Sequence, residues 1–387
     1  MDRQLQVLPL PPELFYTVFS FMSPGEARSL RLVCRAFAEI GAWFGFEMLI
    51  IHIYEPDFSM LRHLARHPII SRRVHELVYV CYELRKPKNS LVSYPPLDEY
   101  LSNTADRELR QRVLACKTNW LPDDAAERSP MSKKDVEENY RRYKSVMEFQ
   151  EYVLSTREDH KLFAEVIPKF TSLRSIFICT DILMCWSPFK PFFIHTPDSS
   201  WPQCYRPMTA IMHGLKGLGT QIRSLTCARA DPILFQKRYI KRMRTAYEGL
   251  ETIQFWFESK GHVLPIFTSE AQGIHFPGTQ RRTIAKLLEA FPALKNLGLF
   301  FTQRHHRHAG YAELNNIITP RFRWENLGMV YLHQIRADVN DLLDFFGLHQ
   351  QTLKCIDLSH CSLSASSWLI NLKSALEPNI SRKYLAR

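Results

Sequence analysis

The sequence predicts an α/β chain in two unequal parts, a short all-helical unit at the N-terminus and a long series of strand–helix units behind it. Three observations predict this. "LPLPPELFYTVFSFMSPGEARSLRLVCRAF" (residues 8–37) packs two proline-edged helix starts and a dense apolar load into one short stretch. A pattern of apolar residues spaced three and then two apart recurs between residues 74 and 358. Helical stretches such as "SMLRHLARH", "RRTIAKLLEAF" and "VNDLLDFFGLH" precede several of its copies.

The first helix starts at Pro11 or Pro12, where a missing N–H costs nothing, and Glu13 in its first turn favours the helix dipole. Leu14, Val18 and Phe21 form one helical stripe; Phe15, Phe19 and Met22 form a second, displaced by one residue. Only Tyr16, Thr17 and Ser20 remain as a polar seam. A helix apolar nearly all round is expected to be buried nearly all round. Ser23-Pro24-Gly25-Glu26 reads as a capping box opening a second helix with Ala27 and Leu30. After a short break, Leu32, Val33, Ala36, Phe37 and Ile40 give a third stripe up to Trp43. Three helices this short cannot hide so much apolar surface among themselves. The excess is covered either by a protein partner or by the rest of this chain.

These residues resemble an F-box. Leu10-Pro11-Pro12-Glu13-Leu14 matches that family's Leu-Pro-x-Glu-Leu/Ile opening, and Val18-Phe19-Ser20-Phe21-Met22 stands where the family has Ile-Leu-Ser-Tyr-Leu. Leu32-Val33-Cys34-Arg35-Ala36-Phe37 matches its Leu-Val-Cys-Arg-x-Phe. The resemblance covers residues 8–48 and departs at its tail, where "GAWFGFEML" replaces a small-residue spacer before a single Trp. It implies docking onto the Skp-type adaptor of an SCF (cullin–RING) ubiquitin ligase through the first and third helices. The adaptor-face candidates are Leu10, Pro11, Leu14, Val18, Phe21, Val33 and Phe37, some of which must face the unit's own core. It implies further that isopeptide chemistry belongs to other subunits, the chain holding a target near the charged conjugating enzyme. Cys34, as part of the motif, is expected to be buried.

Residues 49–387 resemble an irregular leucine-rich-repeat-like solenoid with helical insertions. "LKCIDLSHCSL" (353–363) fits Leu-x-x-Leu-x-Leu-x-x-Asn/Cys-x-Leu throughout, with Leu353, Ile356, Leu358, Cys361 and Leu363 at the fixed positions. Half-copies stand at Leu173/Ile176/Ile178, Ile222/Leu225/Cys227, Leu250/Ile253/Phe255, Leu294/Leu297/Leu299 and Leu327/Val330/Leu332, with an earlier one at Val74/Leu77/Tyr79. The steps are uneven, so insertions must loop out at "WSPFKPFFIHTPDSSWPQCYRP" and "KGHVLPIFTSEAQGIHFPGT". A larger interruption spans about 85–170, with a helical piece near 106–117, a long helix near 134–155 and a shorter one ending before Pro168. "LARHPIISRRVHELVY" resembles the divergent F-box proteins common in filamentous fungi.

In a strand of this kind the residues between the apolar ones point to the other face, which in a solenoid is the inner, concave one. The target-binding candidates there are Phe177, Gln254, Trp256, Phe300, Tyr331, His333 and Asp357. Phe177, Trp256, Phe300 and Tyr331 are expected to form an aromatic ladder across neighbouring strands, a recognition surface for a protein target. Two alternatives stand beside it. An insertion or the C-terminal tail packs over the rings, or a register shift of one residue puts them in the core.

Composition narrows the classes. The nine cysteines are scattered without a Cys-x-x-Cys pair, which fits reduced thiols inside a cell rather than a disulfide framework or zinc ribbon. The N-terminus lacks signal-peptide order, and the greasiest window, "IFICTDILMCW", is broken by Asp181 and followed by Pro188, Lys190 and Pro191. A cytoplasmic or nuclear protein without a membrane partner is expected. The net charge is +11, and the densest basic run, "QKRYIKRMRTAY", reads as a solvated helix face behind Asp231 as N-cap and Pro232 at N1. No zinc-finger, RRM or KH pattern accompanies it, so nucleic acid is not an expected partner. The rival reading is a scaffold whose F-box serves assembly only, with the basic solenoid binding an acidic protein or nucleic acid. No Walker loop, Gly-x-Gly-x-x-Gly, Gly-x-Ser-x-Gly or His-Glu-x-x-His occurs, and His305, His306 and His308 read as a solvated loop tip. No catalytic residue, cofactor or metal ligand is assigned, and the chain is read as not an enzyme.

Overall fold

Eight parallel strands stand side by side in the order in which the chain makes them, apart from short strands given to a second sheet. They are β1 (Met48–His52), β2 (Glu76–Val80), β3 (Ser175–Cys179), β4 (Ser224–Cys227), β5 (Thr252–Ser259), β6 (Asn296–Gln303), β8 (Met329–His333) and β10 (Cys355–Asp357). The second sheet, also parallel, is β11 (Ser362–Leu363), β9 (Ile335–Ala337) and β7 (Ala312–Glu313). This computed structural model describes residues 11–81, 133–179, 205–216, 222–228, 230, 234, 237–259, 282–303, 312–319 and 321–363.

Neighbouring parallel strands need a crossover, and right-handed crossovers between strands laid down in order return the chain on one face of the sheet. The described connections carry α4 (Glu55–Arg66), α5 (Lys133–Thr156), α6 (Glu158–Val166), α7 (Tyr205–Gly214), α8 (Lys237–Ala246), α9 (Thr283–Glu289), the short α10 (Leu314–Ile317) and α11 (Val339–His349). One hydrophobic core joins them to the sheet. It takes Phe58 and Leu61 of α4, Phe163 of α6, Met208 of α7, Met243 of α8, Leu288 of α9 and Phe345 of α11. From the strands it takes alternate residues, such as Ile176 and Ile178 or Leu297 and Leu299.

All seven strand patterns read from the sequence become strands, and their apolar positions are buried from Val74 to Ile356; Leu358 packs half-buried at the core's edge. One more copy precedes them. Phe46, Leu49 and Ile51 have the same three-then-two spacing and are buried, and β1 pairs in register with β2. In the sequence Phe46 and Leu49 fall in the tail "GAWFGFEML" of the helical unit, where they look like a variant ending.

The last two units are the most regular. Cys355 pairs with Met329 in one sheet and Ser362 with Arg336 in the other, a step of 26 residues in both. The Cys361 thiol donates to the Leu332 carbonyl at 3.3 Å, and burial pushes it up to about 11. A small side chain that donates one hydrogen bond to the preceding unit is the reason this motif position takes Asn or Cys. Gln334 and His360, also 26 residues apart, both turn the chain between the two sheets with left-handed φ of 56° and 55°.

The long helix and its successor stand where the sequence places them, as α5 and α6. The basic helix begins at Lys237. Asp231 and Pro232, the helical piece at 106–117, the insertion stretches at 186–204 and 260–279 and the histidines at 305–308 lie outside the described residues, while the end of the first insertion opens α7 at Tyr205.

Candidate functional site

Two surfaces carry the residues singled out from the sequence. The first is built from α1 (Pro12–Ser20), α2 (Pro24–Leu30) and α3 (Arg35–Phe44). The capping box forms as its residues dictate: the Ser23 hydroxyl accepts from the Glu26 N–H, and the Glu26 carboxylate accepts from the Ser23 N–H at 2.8 Å. These hydrogen bonds hold the Glu26 carboxyl below its ordinary value. Phe19, Ala27 and Ile40 make a small core, ringed by Phe15, Met22, Leu30, Phe37 and Phe44. The Phe37 ring meets Phe15 at 5.2 Å and Phe19 at 5.4 Å, both edge-on. Close approach of α3 to α2 rests on Gly41, where an added Cβ would lie 2.5 Å from the Ala27 carbonyl oxygen.

That core separates the two stripes of α1. Phe15, Phe19 and Met22 face inward, while Leu14, Val18 and Phe21 face out, Phe21 being 86% exposed. Leu32 and Val33, in the turn before α3, are 91% and 65% exposed. The helix that is apolar all round is therefore buried on one side only, and among the described residues none covers its outer stripe. Of the adaptor-face candidates, Pro11, Leu14, Val18, Phe21 and Val33 are on the surface, Phe37 is turned into the core, and Leu10 lies outside the described residues. Leu32, which the sequence puts in a helical stripe, sits ahead of the helix and is the most exposed large apolar residue among the described residues. Cys34 corrects an expectation: as N-cap of α3 it is exposed.

The helical unit is tied to the sheet. The Arg73 guanidinium lies 4.2 Å from the Trp43 ring, donates to the Trp43 carbonyl and pairs with Glu47 at 3.1 Å; Arg31 lies 4.9 Å from the Phe46 ring.

The second surface is the sheet face opposite the helices. Phe177, Gln254, Trp256, Phe300, Tyr331, His333 and Asp357 all stand on it, half-buried. Register replaces the single aromatic ladder with two rows. Phe177, Thr226, Gln254, Gly298, Tyr331 and Asp357 share one row, so three strands stand between Phe177 and Tyr331. Trp256, Phe300 and His333 share the next. There Trp256 and Phe300 stack at 4.5 Å with planes 8° apart, and His333 continues to His360 at 4.9 Å. Gly298 makes room for this: a Cβ there would meet the Phe300 ring at 2.8 Å. Near β2 the same face is closed, Val78, Val80 and Cys179 being buried.

Among the described residues no three His, Cys, Asp or Glu side chains converge as a metal site, and no helix is long and apolar enough to cross a membrane. The five cations of α8, Lys237, Arg238, Lys241, Arg242 and Arg244, are exposed, while Tyr239, Met243 and Ala246 bury the other face. Residues 7–46 match the F-box domain family, so the chain carries an F-box at its N-terminus. No curated protein matches the chain.

Proposed function

We propose that this chain is the substrate-recognition subunit of an SCF-type ubiquitin ligase, docking a Skp-type adaptor through its F-box and a protein target through the open face of its sheet. The observation that carries the reading is the exposed stripe of Leu14, Val18 and Phe21 on α1, joined by Leu32 and Val33, which none of the described residues covers. Covering a side chain of this size contributes about 1.5–3 kcal/mol, and each ~1.4 kcal/mol is tenfold in affinity. In this reading the chain supplies proximity and no catalytic group. The F-box ends where β1 begins, and the rest is a leucine-rich-repeat-like solenoid. That assignment is supported by strands in chain order and by the 26-residue step shared by both sheets. The stacked Trp256–Phe300 pair is the natural centre of a target contact, large rigid rings being typical anchors.

Co-purification of the full chain with a Skp-type adaptor tests the docking half, beside a Leu14→Asp/Val18→Asp variant checked for folding by circular dichroism. A one-to-one complex that a folded variant loses is the expected result. An unchanged complex removes the α1 stripe as the docking face, and no complex with either protein removes the adaptor reading.

A second reading, an assembly scaffold with a basic surface for an acidic protein or nucleic acid, draws on the five exposed cations of α8. It requires polynucleotide binding that weakens steeply with salt; salt-independent or absent binding removes it.

A further inference from the structure

On the helix side of the sheet, away from both surfaces above, the end of α5, the first turn of α6, α7 and α8 enclose a pocket of about 710 Å³. Its described lining contains Arg157, Lys161, Arg206 and Arg242 with His160 and His213, and no carboxylate among the described residues. The nearest acids are spent elsewhere. Asp159 is fully buried, accepting from Arg206 at 2.9 Å and from the Tyr79 hydroxyl at 3.2 Å, and Glu158 pairs with Arg62 at 2.7 Å and Lys161 at 3.3 Å. Arg157 and Arg242 form no ion pair among the described residues; Arg242 lies 5.9 Å from the Tyr239 ring, which Arg238 also approaches, at 4.8 Å.

Two further features point to a missing anion. Arg206 Nη1 is buried without a hydrogen-bond partner, an arrangement that costs free energy unless a ligand oxygen supplies the acceptor, while His160 Nδ1 beside it stands 3.7 Å from the Asp159 carboxylate. The cations converge closely enough to act on one another. Burial, and after it the charges of Arg206, His213 and Arg157, lower the His160 imidazole against the pull of Asp159. Thr209 and Tyr239 add hydroxyls to the wall.

We propose that this pocket binds a phosphate-bearing ligand. With Arg206 held by Asp159 and Lys161 by Glu158, Arg157 and Arg242 are the lining arginines left without an ion pair among the described residues; a carboxylate ligand answers one of them, whereas phosphate monoesters and diphosphates carry two or more negative charges and enough oxygens for forked guanidinium contacts. The volume exceeds that of a lone phosphate and falls in the range of small-ligand sites. The ligand therefore carries an organic group, as a phosphorylated side chain or as a free phosphorylated small molecule. This assignment is independent of the F-box reading, since none of its residues lies in the F-box.

Calorimetric titration of the full chain with inorganic pyrophosphate tests it, beside Arg242→Glu, Lys161→Glu and a control, Arg244→Glu, exposed on the same helix outside the lining. One saturable site is expected, at least tenfold weaker in either pocket variant and unchanged in the control, with circular dichroism showing all three folded. Absence of saturable binding, or equal weakening in Arg244→Glu, overturns the proposal, the latter because a diffuse basic surface then explains it. Competition separates the sources. Displacement by a phosphoserine tripeptide assigns a phosphorylated side chain, and displacement by a sugar phosphate assigns a small molecule. Displacement by neither reduces the site to inorganic anions and overturns the organic phosphate ligand.

Discussion

Phe19 and Phe21 stand two positions apart in one apolar helix and have opposite fates, 1% and 86% exposed. Phe19→Ala removes a ring packed against Phe37 at 5.4 Å and should cost about 3–5 kcal/mol of F-box stability. Phe21→Ala should stay within about 0.5 kcal/mol of the parent and act only on adaptor docking. Chemical denaturation of the two variants checks this, and equal losses would sink the inward–outward assignment. Sequence alone cannot make that distinction. Both stripes have helical spacing, and which of them α3 covers depends on how Phe37 and Ile40 are aimed. His349 was equally illegible. Its Nδ1 donates to the Phe345 carbonyl at 2.7 Å, and its Nε2 accepts from the Trp324 N–H at 3.0 Å, so only the neutral ring fits. Burial lowers its folded-state value from the ordinary 6.5. The unfolded chain therefore binds a proton more readily, and this contribution is complete above about pH 6.5 and lost as pH falls below it. His67 and His160 are lowered too and act in the same direction. His349→Gln retains an acceptor without a titrating ring. Between about pH 7.5 and about pH 5.5 its melting midpoint should fall less than the parent's, and identical falls would show that His349 contributes nothing to the slope.

Between elements, close approach decides what propensity does not. Gly41 lies inside α3, where glycine ordinarily costs a helix about 1 kcal/mol relative to alanine. Here an added Cβ would meet a backbone carbonyl, which cannot rotate away as a side chain does. Gly41→Ala should therefore destabilise the F-box by about 1–3 kcal/mol despite the gain in helix propensity. A rise in melting temperature would show that α2 and α3 separate at little cost. Strands were the most legible elements, because a buried face fixes every second residue and Leu297 and Leu299 have no other place to go. Their alignment was less legible. The aromatic positions share the sheet face opposite the helices, but Trp256 and Phe300 align two residues beyond Phe177 and Tyr331. That offset follows from where each insertion re-enters the sheet. β1 was hidden for a related reason: Phe46 closes the F-box match and also opens the strand pattern, so one residue serves two motifs.

For the molecule as a whole, a sheet built in chain order gives each unit only its neighbours to hold it, so stability is a sum of nearest-neighbour interfaces. The long stretch between β2 and β3 threatens that continuity. Asp159, on the α6 that the stretch delivers, restores it by binding Tyr79 of β2 before it and Arg206 of α7 after it. Arg206 also donates to the Val153 carbonyl of α5 at 3.0 Å. One buried carboxylate thus joins four elements, and burial with Asp159 alongside raises the Tyr79 phenol well above its ordinary value, leaving it a neutral donor. Asp159→Ala strands a half-buried guanidinium and should cost about 3–5 kcal/mol. The loss should be partial rather than global, since units beyond α7 keep their own interfaces: a denaturation curve with two transitions is expected where the parent shows one. A single transition shifted by less than about 1 kcal/mol would mean solvent replaces the carboxylate freely. Anion binding gives the same variant a second reading. Removing Asp159 leaves Arg206 without its one negative partner beside a pocket already short of negative charge. Pyrophosphate should then raise the first transition of Asp159→Ala more than it raises the parent's, because a ligand stabilises the state that binds it more tightly. An equal rise in both would place the bound anion away from Arg206, on the exposed side of the pocket with Arg157 and Arg242.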